Sequence, residues 1–326
     1  MLVDGKWSAD WHPVQKKDAD GRFVRQVSSF RHWITPDGSP GPDAQPATAA
    51  EMGRYHLYVA YICPWACRTL IARSLKGLED VISVSVVEPV LSDEGWRFGD
   101  FPGATGPDRE VGASHIHGIY TEADPIYTGR ATVPVLWDRK ARTIVNNESA
   151  DILRILNEGF GALATSSVDL RPNELLQEME ELSDKLYGSF NNGVYRAGFA
   201  SSQKAYEEAV HDVFAALAML ERRLSDGRAY LMGAQLTEVD IRAYVTLIRF
   251  DAAYVGLFKC NLREVRDYPA VSAYLRRLYA MPAFRSATRF DHIKAGYYSV
   301  KALNPSGIVP QGPDLSYLTH VLEPEA

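Results

Sequence analysis

A cysteine followed by proline, Cys63-Pro64, comes shortly after a run rich in aromatic and β-branched residues at 54–60. Such a run is typical of a strand, and proline is favoured at the first position of a helix. We therefore expect Cys63 at a helix start, where the free backbone N–H groups and the helix dipole favour a thiolate. The pattern indicates a nucleophilic cysteine, although a small cysteine that only packs in the core is compatible with it.

The other two cysteines have no comparable setting. Cys67 follows Cys63 by four residues, a spacing at which two helical cysteines cannot bridge without distorting the helix. Cys260 has no motif around it. We expect both to be structural, so the predicted chemistry is that of one thiol rather than of a dithiol pair.

Two further motifs could position a ligand. Val133-Pro134 begins a strand, where proline is found at a sheet edge or after a cis peptide bond. A cis proline would leave the preceding backbone free to pair with an extended peptide. Glu148-Ser149 precedes a helix for which Ser149 is the expected N-cap, and these residues could bind an ammonium and a carboxylate. An ordinary edge proline and simple capping account for the same residues.

The surrounding elements predict two kinds of domain. Residues 54–165 give strand, helix, strand, a loop-rich region, two strands and a helix, the order of a thioredoxin-like α/β domain. Residues 172–298 show only amphipathic helix patterns and predict an all-α domain. Residues 1–53 are expected to form an irregular extension and residues 299–326 an extended tail. The predicted helices of the second domain are Leu175–Leu186, Gln203–Leu224, Thr237–Leu257 and Pro269–Ala280.

Composition limits the class of protein. A length of 326 residues predicts about two domains, and 46% hydrophobic with 23% charged residues is typical of a folded globular chain. The net charge of −6 argues against nucleic-acid binding. No apolar run is long enough to span a membrane, and no signal-peptide pattern is present. With three cysteines a disulfide scaffold is excluded, and we expect a cytoplasmic protein.

A metal site is not expected from the sequence. His115 and His117 lie in a loop-rich stretch, and the local sequence shows no third ligand. Such a pair is more often exposed to solvent than bound to a metal.

The Cys63, Val133 and Glu148 motifs, in this order, resemble those of a glutathione transferase. Longer stretches over nearly the whole chain resemble the xi class, the glutathionyl-hydroquinone reductases. These stretches are Tyr61-Ile62-Cys63-Pro64-Trp65-Ala66, Gly95-Trp96, Phe101-Pro102-Gly103-Ala104-Thr105-Gly106, Thr132-Val133-Pro134-Val135-Leu136-Trp137-Asp138, Asn147-Glu148-Ser149-Ala150, Asn191-Asn192-Gly193-Val194-Tyr195-Arg196-Ala197-Gly198-Phe199-Ala200, Arg249-Phe250-Asp251 and Asn304-Pro305-Ser306-Gly307-Ile308.

The resemblance implies a glutathione transferase fold and a two-step thiol exchange. Cys63 would take glutathione from a glutathionyl-hydroquinone as a mixed disulfide, and a second glutathione would release it as oxidised glutathione. It also implies a homodimer and a set of binding residues. The implied glutathione-binding residues are Trp96, Arg130, Val133, Glu148 and Ser149, and the implied hydroquinone-binding residues are Tyr195, Tyr297 and Tyr298.

Structural roles remain open for these residues, because tyrosines pack in cores, loop tryptophans anchor loops and most arginines are solvated surface charges. The segment from Ala295 to Lys301 also departs from the family, in which a histidine usually precedes the paired tyrosines. Two other functions fit the motifs. One is an omega-like dehydroascorbate or disulfide reductase, and the other is a non-catalytic ligand carrier with the same fold.

Overall fold

The computed structural model describes residues 1–8, 18–23 and 28–319. The chain divides into two compact units. The first consists of Met1–Pro13 and Arg25–Arg171, and the second of Val14–Val24 and Pro172–Ala326. Parts of the predicted extension (9–17 and 24–27) and the end of the predicted tail (320–326) lie outside the described residues.

Short strands occupy the region that we expect to be irregular. Strands β1 (Leu2–Val3) and β2 (Lys6–Trp7) form an antiparallel hairpin, and β3 (Trp33–Thr35) pairs in parallel with β4 (Ala47–Ala49). The expectation of irregular structure before residue 54 is therefore wrong at these positions. Strands of two or three residues are too short to show a hydrophobic period in the sequence.

The main sheet of the first unit has four strands in the order β6-β5-β7-β8. Strand β6 runs parallel to β5, whereas β7 runs antiparallel to both β5 and β8. This βαβ and ββα arrangement confirms the predicted thioredoxin-like domain. Its elements are β5 (Tyr55–Val59), α1 (Pro64–Leu75), β6 (Ser83–Val86), α2 (Ile116–Ala123), β7 (Val135–Asp138), β8 (Thr143–Asn146) and α3 (Ser149–Glu158).

The register of β5 against β7 positions the loops beyond them. Every residue of β5 is buried, and Tyr58 lies opposite Val135, the first residue of β7. Because the two strands are antiparallel, the residues that follow β5 lie beside those that precede β7. The sheet thus brings the loop at Cys63 close to Val133.

The second unit is helical, as predicted. Three of its helices, α5, α9 and α10, are not predicted from the sequence because they are short and are bounded by irregular segments. The helices are α4 (Leu176–Leu186), α5 (Gly193–Gly198), α6 (Gln203–Leu224), α7 (Glu238–Arg249), α8 (Pro269–Ala280), α9 (Pro282–Ser286) and α10 (Phe290–Tyr298). No helix in the described ranges is both long and apolar enough to cross a membrane.

Helix α7 begins as expected and ends early. The backbone N–H of Thr237 donates to the Asp240 carboxylate at 2.8 Å, one of the two contacts of a capping box at the helix start. The α-helix stops at Arg249, whereas the hydrophobic pattern predicts it to continue to Leu257. The chain instead forms a π-helical turn over Phe250–Tyr254. A single π-helical turn holds about one residue more than an α-helical turn and leaves much of the apolar pattern intact. The sequence therefore does not reveal where the α-helix ends.

Candidate functional site

Cys63 lies at the N-cap of α1, as its position before Pro64 predicts. Its backbone is extended (φ −75°, ψ 114°), and Pro64 is the first helical residue. The thiol is half-buried, and its Sγ donates to the Val133 carbonyl oxygen at 3.5 Å. A sulfur at a helix N-terminus is stabilised as an anion by the helix dipole and the free N–H groups. Cys63 therefore has the setting of a reactive thiol.

The peptide bond between Val133 and Pro134 is cis. The sequence allows either an ordinary edge proline or a cis proline at this position, and the structure contains the cis proline. Val133 is buried, and its carbonyl accepts the hydrogen bond from Cys63. A backbone edge therefore lies within hydrogen-bonding distance of the thiol, where an extended peptide could pair with it.

Glu148, rather than Ser149, is the N-cap of α3, which corrects our expectation. Glu148 Oε1 accepts from the backbone N–H of Ala150 at 3.2 Å and from the Ser149 hydroxyl at 3.4 Å. Its Oε2 accepts from the Ser28 hydroxyl at 3.0 Å. The helix begins one residue earlier than expected because the Glu148 carboxylate reaches forward and accepts from an N–H of the first turn, as a serine N-cap would. The carboxylate and the hydroxyl are nevertheless adjacent, as a clamp for an amino acid requires.

Trp96 and Arg130 are both half-buried residues of the first unit. The Trp96 carbonyl accepts from the Ile116 N–H at 2.9 Å, which ties its loop to the start of α2. The Arg130 carbonyl accepts from the Tyr127 hydroxyl at 3.3 Å. These contacts hold the two backbones in place, and the roles of both side chains toward glutathione stay predictions.

Three tyrosine hydroxyls form a chain in the second unit. Tyr297 Oη lies 2.6 Å from Tyr195 Oη and 2.9 Å from Tyr254 Oη. Tyr195 is on α5, Tyr297 on α10 and Tyr254 at the end of the π-helical turn. We call Tyr195, Tyr254 and Tyr297 the tyrosine cluster. Burial, followed by the neighbouring hydroxyls, raises the pKa of Tyr254 and of Tyr297 well above the usual value, so both stay protonated.

Tyr254 is not among the residues predicted from the sequence. It lies three positions after the family stretch Arg249-Phe250-Asp251, and nothing in the sequence distinguishes it from the other tyrosines among the 17 of the chain. The π-helical turn sets its direction, and that turn has no clear sequence signal.

Tyr298 points elsewhere than its neighbour Tyr297. A Cβ added at Gly256 would lie 2.7 Å from the Tyr298 hydroxyl, so this side chain packs against Gly256. Consecutive residues of an α-helix project about 100° apart, which explains the different direction. The direct hydrogen bond between the Tyr195 and Tyr297 hydroxyls therefore does not involve Tyr298.

The remaining cysteines are buried, as expected for structural residues. Cys67 Sγ donates to the Tyr61 carbonyl oxygen at 3.3 Å. Burial raises the pKa of Cys260 to about 12, so its thiol stays protonated and unreactive near neutral pH. All three cysteines are free thiols.

His115 and His117 are not the exposed pair that we expect from the sequence. Their side chains are 14% and 19% exposed, and Glu94 lies beside both. The third potential ligand escaped the sequence prediction because it lies more than 20 positions away and is brought close only by the fold.

Comparisons with known proteins agree with this fold. The model of the glutathione S-transferase N-terminal domain matches residues 62–158, and that of the C-terminal domain matches residues 203–277. Glutathionyl-hydroquinone reductase YqjG of Escherichia coli K12 is 50% identical over 96% of this chain and 95% of its own. Glutathionyl-hydroquinone reductase PcpF of Sphingobium chlorophenolicum is 45% identical over 96% of both chains.

Two solved structures are similar throughout. The glutathione-bound structure of YqjG from Escherichia coli has a TM-score of 0.88 and 46% identity, and the match covers 97% of this chain and 96% of that chain. The glutathione S-transferase Xi from Phanerochaete chrysosporium has a TM-score of 0.86 and 49% identity, covering 91% of this chain and 95% of that chain. The chain therefore belongs to the glutathione transferase family and, within it, to the xi class.

Proposed function

We propose that this enzyme reduces glutathionyl-hydroquinones to hydroquinones, with glutathione as co-substrate. The observation that carries the proposal is the half-buried Cys63 thiol at the N-cap of α1, 3.5 Å from the Val133 carbonyl. Relatives of the same length and architecture named glutathionyl-hydroquinone reductase support it. A conjugating transferase needs a hydroxyl that holds the glutathione thiolate, whereas a cysteine in that place forms a disulfide with it.

In the first step, the Cys63 thiolate attacks the glutathione sulfur of the conjugate. The new Cys63–glutathione disulfide forms as the sulfur–carbon bond breaks, and the ring carbon takes the electron pair and a proton. In the second step, a glutathione thiolate attacks this disulfide, and oxidised glutathione leaves with Cys63 restored. Two sulfurs are oxidised and one ring carbon is reduced, so the reaction needs no other redox partner.

Glutathione would be held by the residues around this thiol. Glu148 is a carboxylate for the γ-glutamyl ammonium group, and Ser149 and the start of α3 favour the neighbouring carboxylate. The Val133 backbone would pair with the cysteinyl part of the peptide. Trp96 would provide a flat wall and Arg130 a cation for a peptide carboxylate.

The hydroquinone would be recognised through its oxygens. Tyr297 carries a hydroxyl that stays protonated, and the Tyr195 hydroxyl lies 2.6 Å from it, so this pair can donate hydrogen bonds to a phenol or supply a proton. Tyr298 is a further residue that we propose to contact the substrate. The tyrosine cluster supports this assignment, because a chain of hydrogen-bonded hydroxyls is suited to move a proton.

We also propose a homodimer in the cytoplasm. The family resemblance supports the dimer, and the three free thiols and the need for reduced glutathione support a reducing compartment. Light scattering during gel filtration measures the mass in solution, and a monomer at micromolar concentration would contradict the dimer.

Mass spectrometry and a product assay test the reaction. Incubation with a glutathionyl-hydroquinone should leave one glutathione on Cys63, and added glutathione should release it together with free hydroquinone. Cys63→Ser should lose at least about 10³-fold in rate, as enzymes do when their nucleophile is removed. Cys67→Ala is the matched control, because that buried thiol lies in the same helix and should not react.

The rival functions give different results. An enzyme that reduces dehydroascorbate far faster than the conjugate is an omega-like reductase. A protein that binds glutathione but turns over neither compound is a carrier. Full activity in Cys63→Ser would show that the nucleophile is another residue.

A further inference from the structure

Glu94, His115 and His117 form a mixed cluster in the first unit. One ligand atom from each residue lies within 4.8 Å of those of the other two. Glu94 Oε2 is 3.2 Å from His117 Nε2 and 3.9 Å from His115 Nδ1. The two imidazole rings are nearly parallel, with an interplanar angle of 8° and centroids 5.3 Å apart. Three metal-ligating side chains therefore converge on one point. The chemistry proposed for Cys63 uses none of them.

The cluster is built into the fold rather than spread over a loop surface. Residues 96–98 hydrogen-bond to residues 114–116, which places the Glu94 turn against the start of α2. Trp7 of the β1–β2 hairpin stacks on His117 with a centroid distance of 5.1 Å. Its indole N–H donates to the Asp93 carbonyl at 3.1 Å. One side of the cluster is thus covered by an aromatic ring that is itself fixed.

We propose that Glu94, His115 and His117 bind a divalent transition metal ion of the zinc class. Two imidazoles and one carboxylate are the donor set of many zinc sites that have three protein ligands and leave one position for water. Bonds of about 2.0–2.2 Å place tetrahedral ligand atoms roughly 3.3 Å apart. The observed separations bracket this value. Because the Glu94 side chain is 54% exposed, it has room to adjust.

The neighbouring charges are compatible with a cation. Arg97 is the nearby positive residue, and it is engaged by Glu88, whose Oε2 accepts from the Arg97 guanidinium at 2.6–2.8 Å. The Ser114 hydroxyl lies 3.0 Å from His115 Nδ1, the nitrogen that faces Glu94, so this hydrogen bond would be exchanged for the bond to the metal. The alternative is a plain His117–Glu94 ion pair, which binds no metal.

Isothermal titration of the full chain with Zn²⁺ near neutral pH tests the site. The Cys63→Ser background removes the thiol that would otherwise compete for zinc. We expect one Zn²⁺ per chain, and His117→Asn and Glu94→Gln should each weaken binding at least about tenfold. His211→Asn is the matched control, since this histidine is 84% exposed and should leave binding unchanged. With Co²⁺ as the probe, the visible spectrum should lack a thiolate band.

Other results would overturn the site. Two results would show that the residues form only an ion pair. One is the absence of Zn²⁺ binding, and the other is binding by His117→Asn and Glu94→Gln as tight as that of the Cys63→Ser background. Circular dichroism of Glu94→Gln, a change at an exposed side chain, separates lost ligation from lost folding. The outcome is independent of the proposed reduction, because hydroquinone release by the metal-free enzyme is measured separately.

Discussion

The thiol site of the first unit and the tyrosine cluster of the second differ in how they are constructed. Cys63 owes its setting to its neighbours in the chain, since it lies in the short connection after β5 and Pro64 directly begins α1. The tyrosine cluster joins three segments separated by 43 to 102 positions. A backbone-defined site tolerates changes elsewhere, whereas a site made of distant side chains depends on the packing of every segment. The difference can be tested with single substitutions.

Apart from loss of the nucleophile, the largest effect should come from Tyr297→Phe, which removes the central hydroxyl of the cluster. We expect the rate of hydroquinone release to fall by about 10²-fold, because proton supply and oxygen recognition are lost together. The alkylation rate of Cys63 by iodoacetamide should not change. Tyr206→Phe is the control, since its hydroxyl bonds to the Lys259 carbonyl outside the cluster. A parallel fall in thiol reactivity would break the comparison.

The next effect concerns pH and the π-helical turn that carries Tyr254. Asp251 lies in the same turn, where it accepts from the Val265 N–H at 2.7 Å and from the Tyr317 hydroxyl at 3.1 Å. Burial raises the pKa of Asp251 from 3.8 to about 6. Between these values the folded state holds a proton that the unfolded chain has lost, so the free energy of unfolding falls as pH rises.

We expect Asp251→Asn to remove this fall, which amounts to about 2–3 kcal/mol between pH 4 and pH 7. Urea unfolding followed by circular dichroism measures it, as the difference between variant and wild type at each pH. All six tryptophans precede residue 138, so their fluorescence reports the first unit separately. An equal pH dependence in both proteins would show that Asp251 is ionised throughout.

The smallest effect should come from Glu148→Gln. The amide oxygen can still cap α3 but cannot pair with an ammonium group at full strength. We expect the KM for glutathione to rise about tenfold with kcat little changed, the loss typical of one hydrogen bond to a charged group. Glu122→Gln is the matched control, because its partner is the exposed Arg142. An unchanged KM would show that Glu148 serves only as a cap.

The sequence was most informative where function depends on local order. The Cys63-Pro64 start of α1, the thioredoxin-like order of elements and the bounds of α6 and α8 follow from patterns within a few turns. It was least informative for short or irregular elements. The cap of α3 is misplaced by one residue, and the strands before residue 54 are missed, because glutamate can replace serine as a cap and two-residue strands have no period.

By itself, then, the sequence determined the fold class and the position of the Cys63 thiol at the start of α1, because both are encoded by neighbouring residues. Only the tertiary structure decided which side chains meet. The π-helical turn that follows α7 places Tyr254 beside Tyr195 and Tyr297. The fold also brings Glu94 close to the two histidines. Contacts of this kind arise from packing between segments far apart in the chain, and no local spacing in the sequence records them.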